Sequence, residues 1–257
     1  MNILIVESEN DQYFVQALIN HLNLQEKVKV DAPISTEFER LGGIQEDGTN
    51  LITKLKDIKT EVFKKGIEKI GIILDIDKKQ MTERIQLVNN ALQKVFGEES
   101  RTVSTVNEFV TIQLDENLAV NIACYFTNVD GKGELEDLLK AIAKADSSFA
   151  DCLQEGWVKC AEAKGKKIEQ KEGDTTGVDI SQKELTKLWV DFYKRYDTLK
   201  RKERSKETTE FSPIFLGLEK EDKKTGKLKH IPERGSKIFD YDAEILTEIR
   251  NFLNLFR

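Results

Sequence analysis

Two short runs carry apolar residues straight into carboxylates. "LIVESEND", residues 4–11, puts Glu7 directly after Leu4–Val6 and Asp11 four positions further on, and "IGIILDIDKK", residues 70–79, ends on Asp75 and Asp77. Acids at the ends of two buried strands supply hard oxygen donors, the ligand type of Mg²⁺, which binds through few carboxylates and keeps waters for a substrate phosphate. Without a cation the crowding is costly, since two like charges about 4 Å apart repel by roughly 4 kcal/mol at an effective dielectric of 20. The chemistry to expect is therefore that of a bound divalent cation, Mg²⁺ or Mn²⁺. The alternative is that these acids are solvated strand-end residues with no common guest.

Positioning them requires strands. "NILIV" at 2–6 and "KIGIILDI" at 69–76 are apolar without alternation, the pattern of strands buried on both faces, and "KVKVDA" at 27–32 reads as another. Phe14, Val15, Leu18, Ile19 and Leu22 repeat at helical spacing, with Asn10 placed to cap. Leu51, Leu55, Ile58 and Val62 mark a helix from about Asp47 to Lys65, and Ile85, Val88, Leu92 and Val95 mark another. A Pro33 loop and an "LGGI" turn at 41–44 lie between the second strand and its helix. Strands at 108–114 and 119–126, then the helix "ELEDLLKAIAKA" after "DGKG" at 130–133, complete an alternation that predicts an α/β fold. Its sheet should be mostly parallel and covered by helices on both faces. In such a sheet ligands bind beyond the carboxyl ends of the strands, so Glu7 and Asp75–Asp77 should share one rim. Asp75 and Asp77, two apart, share a face while the strand persists. Asp11 falls in the first turn of the following helix, where the dipole favours a carboxylate.

The α/β domain is expected to span 1–145 and a mainly helical region 146–257, with helices at 147–163 and 181–204, a polar loop at 166–179 and a mobile loop at 205–236. "FDYDAEILTEIRNFLNLF" closes the chain as an amphipathic helix with Ile245, Ile249, Phe252 and Phe256 on one face. Trp157 and Trp189 sit at helical positions and read as core.

A net charge of −6 excludes a polycation that would coat nucleic acid, so phosphate binding must come from a local basic patch or from metal. Cys124, Cys152 and Cys160 are odd in number and lack C-x-x-C spacing, which suits reduced thiols and argues against a structural zinc. Met1–Val6 is too short for a signal peptide, and no apolar run approaches the roughly 18 residues of a spanning helix. A cytoplasmic location, away from membrane, is expected. "GDTTG" at 173–177 lacks the Gly-Lys-Ser/Thr ending of a phosphate-binding loop.

"LIVESEND" followed by "IILDID" resembles the Toprim superfamily, whose signature is a glutamate after the first strand and Asp-x-Asp after a later one. "GGI" at 42–44, the spacing to "GIILDID", and "GKGELEDLLKAI" at 131–142 are similar to a small prokaryotic Toprim-like family of unknown function (DUF3226-like). The resemblance covers about 1–145 and the last 20 or so residues. It implies Mg²⁺- or Mn²⁺-dependent phosphodiester chemistry with Glu7, Asp75 and Asp77 as catalytic and metal-binding positions. Glu136, in the Leu135-Glu136-Asp137 element, and Asp11 are implied as further ligands, holding a second metal. Lys132, on the Gly131–Gly133 turn, is a candidate electrostatic stabiliser or else a solvated turn lysine. One departure is Ser8, where the family usually has a glycine able to adopt positive φ.

The chain is too short for the separate tyrosine domain of a topoisomerase or the zinc module of a primase. A stand-alone nuclease on DNA or RNA, like the Toprim nucleases of RNA maturation or phage defence, fits the length. Such defence nucleases are often paired with ABC-type ATPases, which implies a partner subunit of that kind; a homo-oligomer is also compatible with the sequence. Two other readings stay open: a non-catalytic binding or regulatory module, motivated by the overall acidity and by Ser8, and a nucleotidyl or phosphoryl transferase on a small substrate. The stretch "KRYDTLKRKERSK" at 194–206 gathers Lys194, Arg195, Lys200, Arg201, Lys202, Arg204 and Lys206 as candidates for the nucleic-acid backbone, or else forms a solvated helix face. Tyr193 and Tyr196 beside it are candidates for stacking on bases.

Overall fold

The computed structural model describes residues 2–34, 48–97, 101–169, 177–205, 208–221 and 228–257. The expected turn at 41–44, most of "GDTTG" and Lys206 lie outside the described residues.

The order of elements is β1 (Asn2–Val6), α1 (Glu9–His21), β2 (Val28–Val30), α2 (Thr49–Lys65), β3 (Lys69–Asp75), α3 (Met81–Phe96), β4 (Val110–Gln113) and β5 (Ala119–Thr127). Then follow α4 (Leu135–Ala141), α5 (Ser148–Ala163) and α6 (Gln182–Phe192), which runs into a π-helical turn at Tyr193–Asp197. After these come α7 (Phe211–Leu216), β6 (Leu218–Glu221), β7 (Leu228–Ile231), α8 (Gly235–Ile238), a 3₁₀ turn at Glu244–Leu246 and α9 (Thr247–Asn254). Residues Met1–Lys132 with Glu244–Arg257 make one compact unit and Gly133–Ala243 a second.

In the first unit, five strands form a sheet in the order β2-β1-β3-β5-β4 among the described residues. β1 is parallel to β2 and β3, β3 is parallel to β5, and β4 runs antiparallel at the edge. The expected mostly parallel α/β sheet is what the chain forms. Its continuous apolar strands are explained by burial on both faces: Ile3, Ile5, Ile70, Ile72 and Leu74 join Leu51, Leu55, Val88 and Leu92 of α2 and α3 in one cluster. Leu4, Val6, Ile73 and Tyr125 alternate with them and are buried too. On that second face α9 crosses β3 at Gly71. A Cβ there would meet Leu4 and lie 2.7 Å from Phe256 and 3.0 Å from Phe252. The closing segment is thus part of the sheet unit, and Asn2 and Lys69 tie it down by donating to the carbonyls of Phe256 and Leu255 at 3.1 and 2.7 Å. The expected single helix over this segment is instead an irregular start followed by the 3₁₀ turn and α9.

Two further expectations change in the second unit. The long helix over 181–204 stops at Phe192, passes through the π-helical turn and ends by Thr198. The segment expected as a mobile loop, 205–236, contains α7 and the antiparallel pair of β6 with β7. Lys-rich composition hid a short hairpin whose backbone pairing needs no apolar face.

Candidate functional site

β1 and β3 are adjacent parallel strands in register Asn2↔Lys69 through Val6↔Ile73, so both carboxyl ends reach the same rim. From β1 the chain crosses to β2 on one side, then returns past β1 to β3 on the other. The connections therefore diverge between β1 and β3, and this topological switch point is where open α/β sheets form a ligand crevice. Glu7 follows the last residue of β1, and Asp75 is the last residue of β3. Both are buried, and the Glu7 carboxylate Oε2 accepts the main-chain N–H of Asp75 at 3.1 Å. These two acids the fold brings together.

Asp77 lies past the end of β3. Alternation ends at Asp75, and Asp77 turns into the left-handed region at φ 53°, which aspartate tolerates better than most residues. Its carboxylate takes an ion pair from Arg84 Nη2 at 2.5 Å, and Arg84 Nε donates to the Ile76 carbonyl at 3.4 Å. Arg84, buried in the first turn of α3, thus fastens the β3–α3 connection. Reading the sequence alone missed Arg84; the signal for it was a lone arginine on the buried side of an otherwise apolar helix stripe.

Asp11 is used by the helix it belongs to. Ser8, not Asn10, is the N-cap of α1, with φ −128°. Asp11 Oδ2 accepts the Ser8 N–H at 3.0 Å and the Ser8 hydroxyl at 2.5 Å, and the Asp11 N–H donates back to Ser8 Oγ at 3.4 Å. This reciprocal box explains Ser8 in place of glycine: the position needs a capping oxygen and extended backbone, not positive φ.

Glu136 lies in the second unit, buried in the first turn of α4. Its charge acts there on Glu134 and Lys194. Glu134, the buried N-cap of α4, receives Lys183 at 2.6 Å and Lys187 at 3.7 Å. Burial first, and then Glu136, pushes its carboxyl up to about 7 despite both lysines. Lys132 closes a turn in the first unit, its backbone paired with Val129. Among the described residues, no three or more His, Cys, Asp or Glu side chains are grouped so as to hold a metal ion.

The basic stretch divides sharply. Lys194 is only 2% exposed; it pairs with Asp191 at 2.8 Å, its ammonium lies 3.9 Å from the centre of the Phe211 ring, and burial lowers its pKa. Arg204 is turned inward, donating to the carbonyls of Leu199 and Tyr196 and stacking on the Tyr196 ring at 4.9 Å. Arg195, Lys200, Arg201 and Lys202 are exposed. Tyr193 is core, stacked on Trp189 at 5.0 Å, so it is not a platform for bases. Trp189 is buried as expected, whereas Trp157 is exposed on α5.

No helix of the described residues is long and apolar enough to cross a membrane. No curated protein and no solved structure matches the chain. The family described as Protein of unknown function (DUF3226) matches residues 1–257, and the chain belongs to that family.

Proposed function

We propose that the β1/β3 crevice binds a divalent cation, Mg²⁺ or Mn²⁺, through Glu7 and Asp75 and carries out phosphodiester cleavage on DNA or RNA. The observation that carries this reading is the pair of buried carboxylates at the topological switch point, joined by the Glu7–Asp75 hydrogen bond. The donor set suits a hard cation, because both groups offer carboxylate oxygens and two protein ligands are what Mg²⁺ commonly takes. The Toprim-like run of Glu7, Asp75 and Asp77 supports the same reading.

When bound, the cation would supply Lewis acidity toward a phosphoryl oxygen and a water of lowered pKa. The chain's own residues do the rest. Glu7 is fixed by the Asp75 N–H, and its carboxylate would be a ligand to the cation or take a proton from a bound water. Asp77 contributes only after its carboxylate leaves Arg84, and the released guanidinium is then a bidentate donor suited to a phosphate. Arg195, Lys200, Arg201 and Lys202 are the exposed cations suited to a polynucleotide backbone.

A second reading is favoured by the pairing of Asp77 with Arg84 and of Asp11 with Ser8: a non-catalytic module in which these acids serve the fold. Incubation with single- and double-stranded DNA and RNA in Mn²⁺ or Mg²⁺ separates the two. Cleavage by the wild type that disappears in both Asp75→Asn and Glu7→Gln is expected; equal cleavage in the variants, or none in the wild type, favours the module.

A further inference from the structure

Arg84 is 5% exposed, and its guanidinium is only partly used. Nη2 holds the Asp77 carboxylate at 2.5 Å, and Nε donates to the Ile76 carbonyl at 3.4 Å. The fork carries further N–H groups, and among the described residues no carboxylate or carbonyl takes them. A buried guanidinium with donors to spare suits an anion that brings several oxygens.

Both halves of the Asp77–Arg84 pair stand on fixed backbone. The Ile76 N–H donates to the Thr127 carbonyl at 3.0 Å, and the Ile76 carbonyl accepts the Lys79 N–H at 3.1 Å. Asp77 thus begins a tight turn, in its left-handed conformation. At the far end of that turn Gln80 caps α3, its N–H donating to the Glu83 carboxylate at 2.7 Å. The ion pair therefore opens by side-chain rotation alone. The Asp77 side chain, 30% exposed against 7% for Arg84, is the half that solvent reaches first.

We propose that Asp77 and Arg84 are an exchange pair: a divalent cation takes Asp77 while a phosphate takes Arg84, so each ligand strengthens the binding of the other. The proposal rests on the cation reading above and adds the coupling between the two ligands. Phosphate is the matching anion because a guanidinium edge binds two of its oxygens at once. Asp77 and a phosphate compete for one guanidinium and repel each other as like charges; Arg84 and a cation stand in the same relation to one carboxylate. Either ligand alone must break the pair and leave the other half with its charge unmatched. Both together leave every charge matched.

Such coupling is reciprocal and typically worth about 5–150-fold in affinity. Its consequence is a crevice that holds its cation weakly until a phosphate group arrives. The pair makes one further demand. Each half, freed by substitution of the other, should bind its own ligand more tightly and without help.

The test uses the full chain and inorganic phosphate, which cannot be cleaved. Free Mn²⁺ is followed by electron paramagnetic resonance with and without phosphate, and protein-free mixtures correct for Mn²⁺ held by phosphate itself. Phosphate should tighten Mn²⁺ binding on the order of tenfold in the wild type. That gain should vanish in Arg84→Met, which binds Mn²⁺ more tightly from the start. Calorimetry in EDTA reads the other half: Asp77→Asn should bind phosphate on the order of tenfold more tightly than the wild type. The double variant Asp77→Asn with Arg84→Met should lose this gain; it removes both halves of the pair, so no buried charge is left unmatched and the fold is kept. Mn²⁺ binding that ignores phosphate, a phosphate effect that survives Arg84→Met, or no metal-free gain in Asp77→Asn overturns the proposal and leaves the cation site standing. A wild type that binds no Mn²⁺, with phosphate or without it, overturns both.

Discussion

Glu7 and Asp75, 68 residues apart in the chain, are joined by a 3.1 Å hydrogen bond from the Asp75 main chain to the Glu7 side chain. The bond fixes where the first carboxylate sits relative to the end of β3, and it uses the carbonyl-like oxygen that glutamine would also offer. Glu7→Gln is therefore expected to keep the fold, with a thermal midpoint at or above that of the wild type because one of two buried acids loses its charge. Thermal melting by circular dichroism checks this. A large loss of stability would mean that the Glu7 charge itself holds the rim together.

Arg84 fastens the β3–α3 connection from a buried position, and replacing it removes a charge-assisted bond to Asp77. Arg84→Met should destabilise the protein by about 1.5–3 kcal/mol, the worth of such bonds. It should also strengthen Mn²⁺ binding, because the Arg84 guanidinium no longer competes for Asp77. Urea unfolding and Mn²⁺ titration give the two numbers.

Gly71 is where α9 meets the sheet. Gly71→Ala must move Phe252, Phe256 and Leu4 together, and overpacking of this kind costs about 1–3 kcal/mol. Urea unfolding should show the loss, with little change from Gly66→Ala beyond the strain of its left-handed backbone, since nothing lies within 4 Å of a Cβ there.

Glu134 sets a pH dependence. Its folded-state pKa is raised to about 7, above the ordinary carboxylate value of the unfolded chain. The folded protein therefore holds this proton after the unfolded chain has released it. Its contribution is fully present below about pH 4 and is lost as pH rises through about 7. The difference in urea midpoint between Glu134→Gln and the wild type should grow across that window in favour of the variant, then level off.

The basic stretch divides by exposure, and so should its effect on nucleic acid. Glutamine at Arg195, Lys200, Arg201 and Lys202 should weaken retention and flatten its salt dependence by about 0.7–0.9 per lost phosphate contact. Lys194→Met should leave both unchanged. It should also leave stability equal or slightly raised, because the ammonium is buried while its partner Asp191 is 66% exposed and stays solvated.

Much of the sheet unit was legible in the chain because burial on both faces writes strands as unbroken apolar runs, as in Asn2–Val6 and Lys69–Asp75. The meeting of Glu7 with Asp75 followed from parallel strands alone. What escaped was local and polar. Ser8 read as a departure from glycine and Asp11 as a ligand, and together they form a helix cap, because a capping carboxylate and a metal-binding carboxylate look alike in one dimension. Asp77 escaped because alternation stops where φ changes sign, and a two-residue spacing does not show that. Lys194 and Trp157 exchanged their expected places: a lysine is buried beneath an aromatic ring while a tryptophan stands outside. Both follow from which face of α5 and of the π-helical turn meets the rest of the second unit, a tertiary choice that neither segment encodes by itself.

The most direct test of the central claim is a Mn²⁺ titration followed by electron paramagnetic resonance, with wild type, Glu7→Gln and Asp75→Asn at matched folded concentrations. Loss of the free Mn²⁺ signal in the wild type, and its return in both variants, is the predicted result. A wild type that leaves all the Mn²⁺ free, or variants that bind it as the wild type does, would contradict a cation site at the β1/β3 crevice.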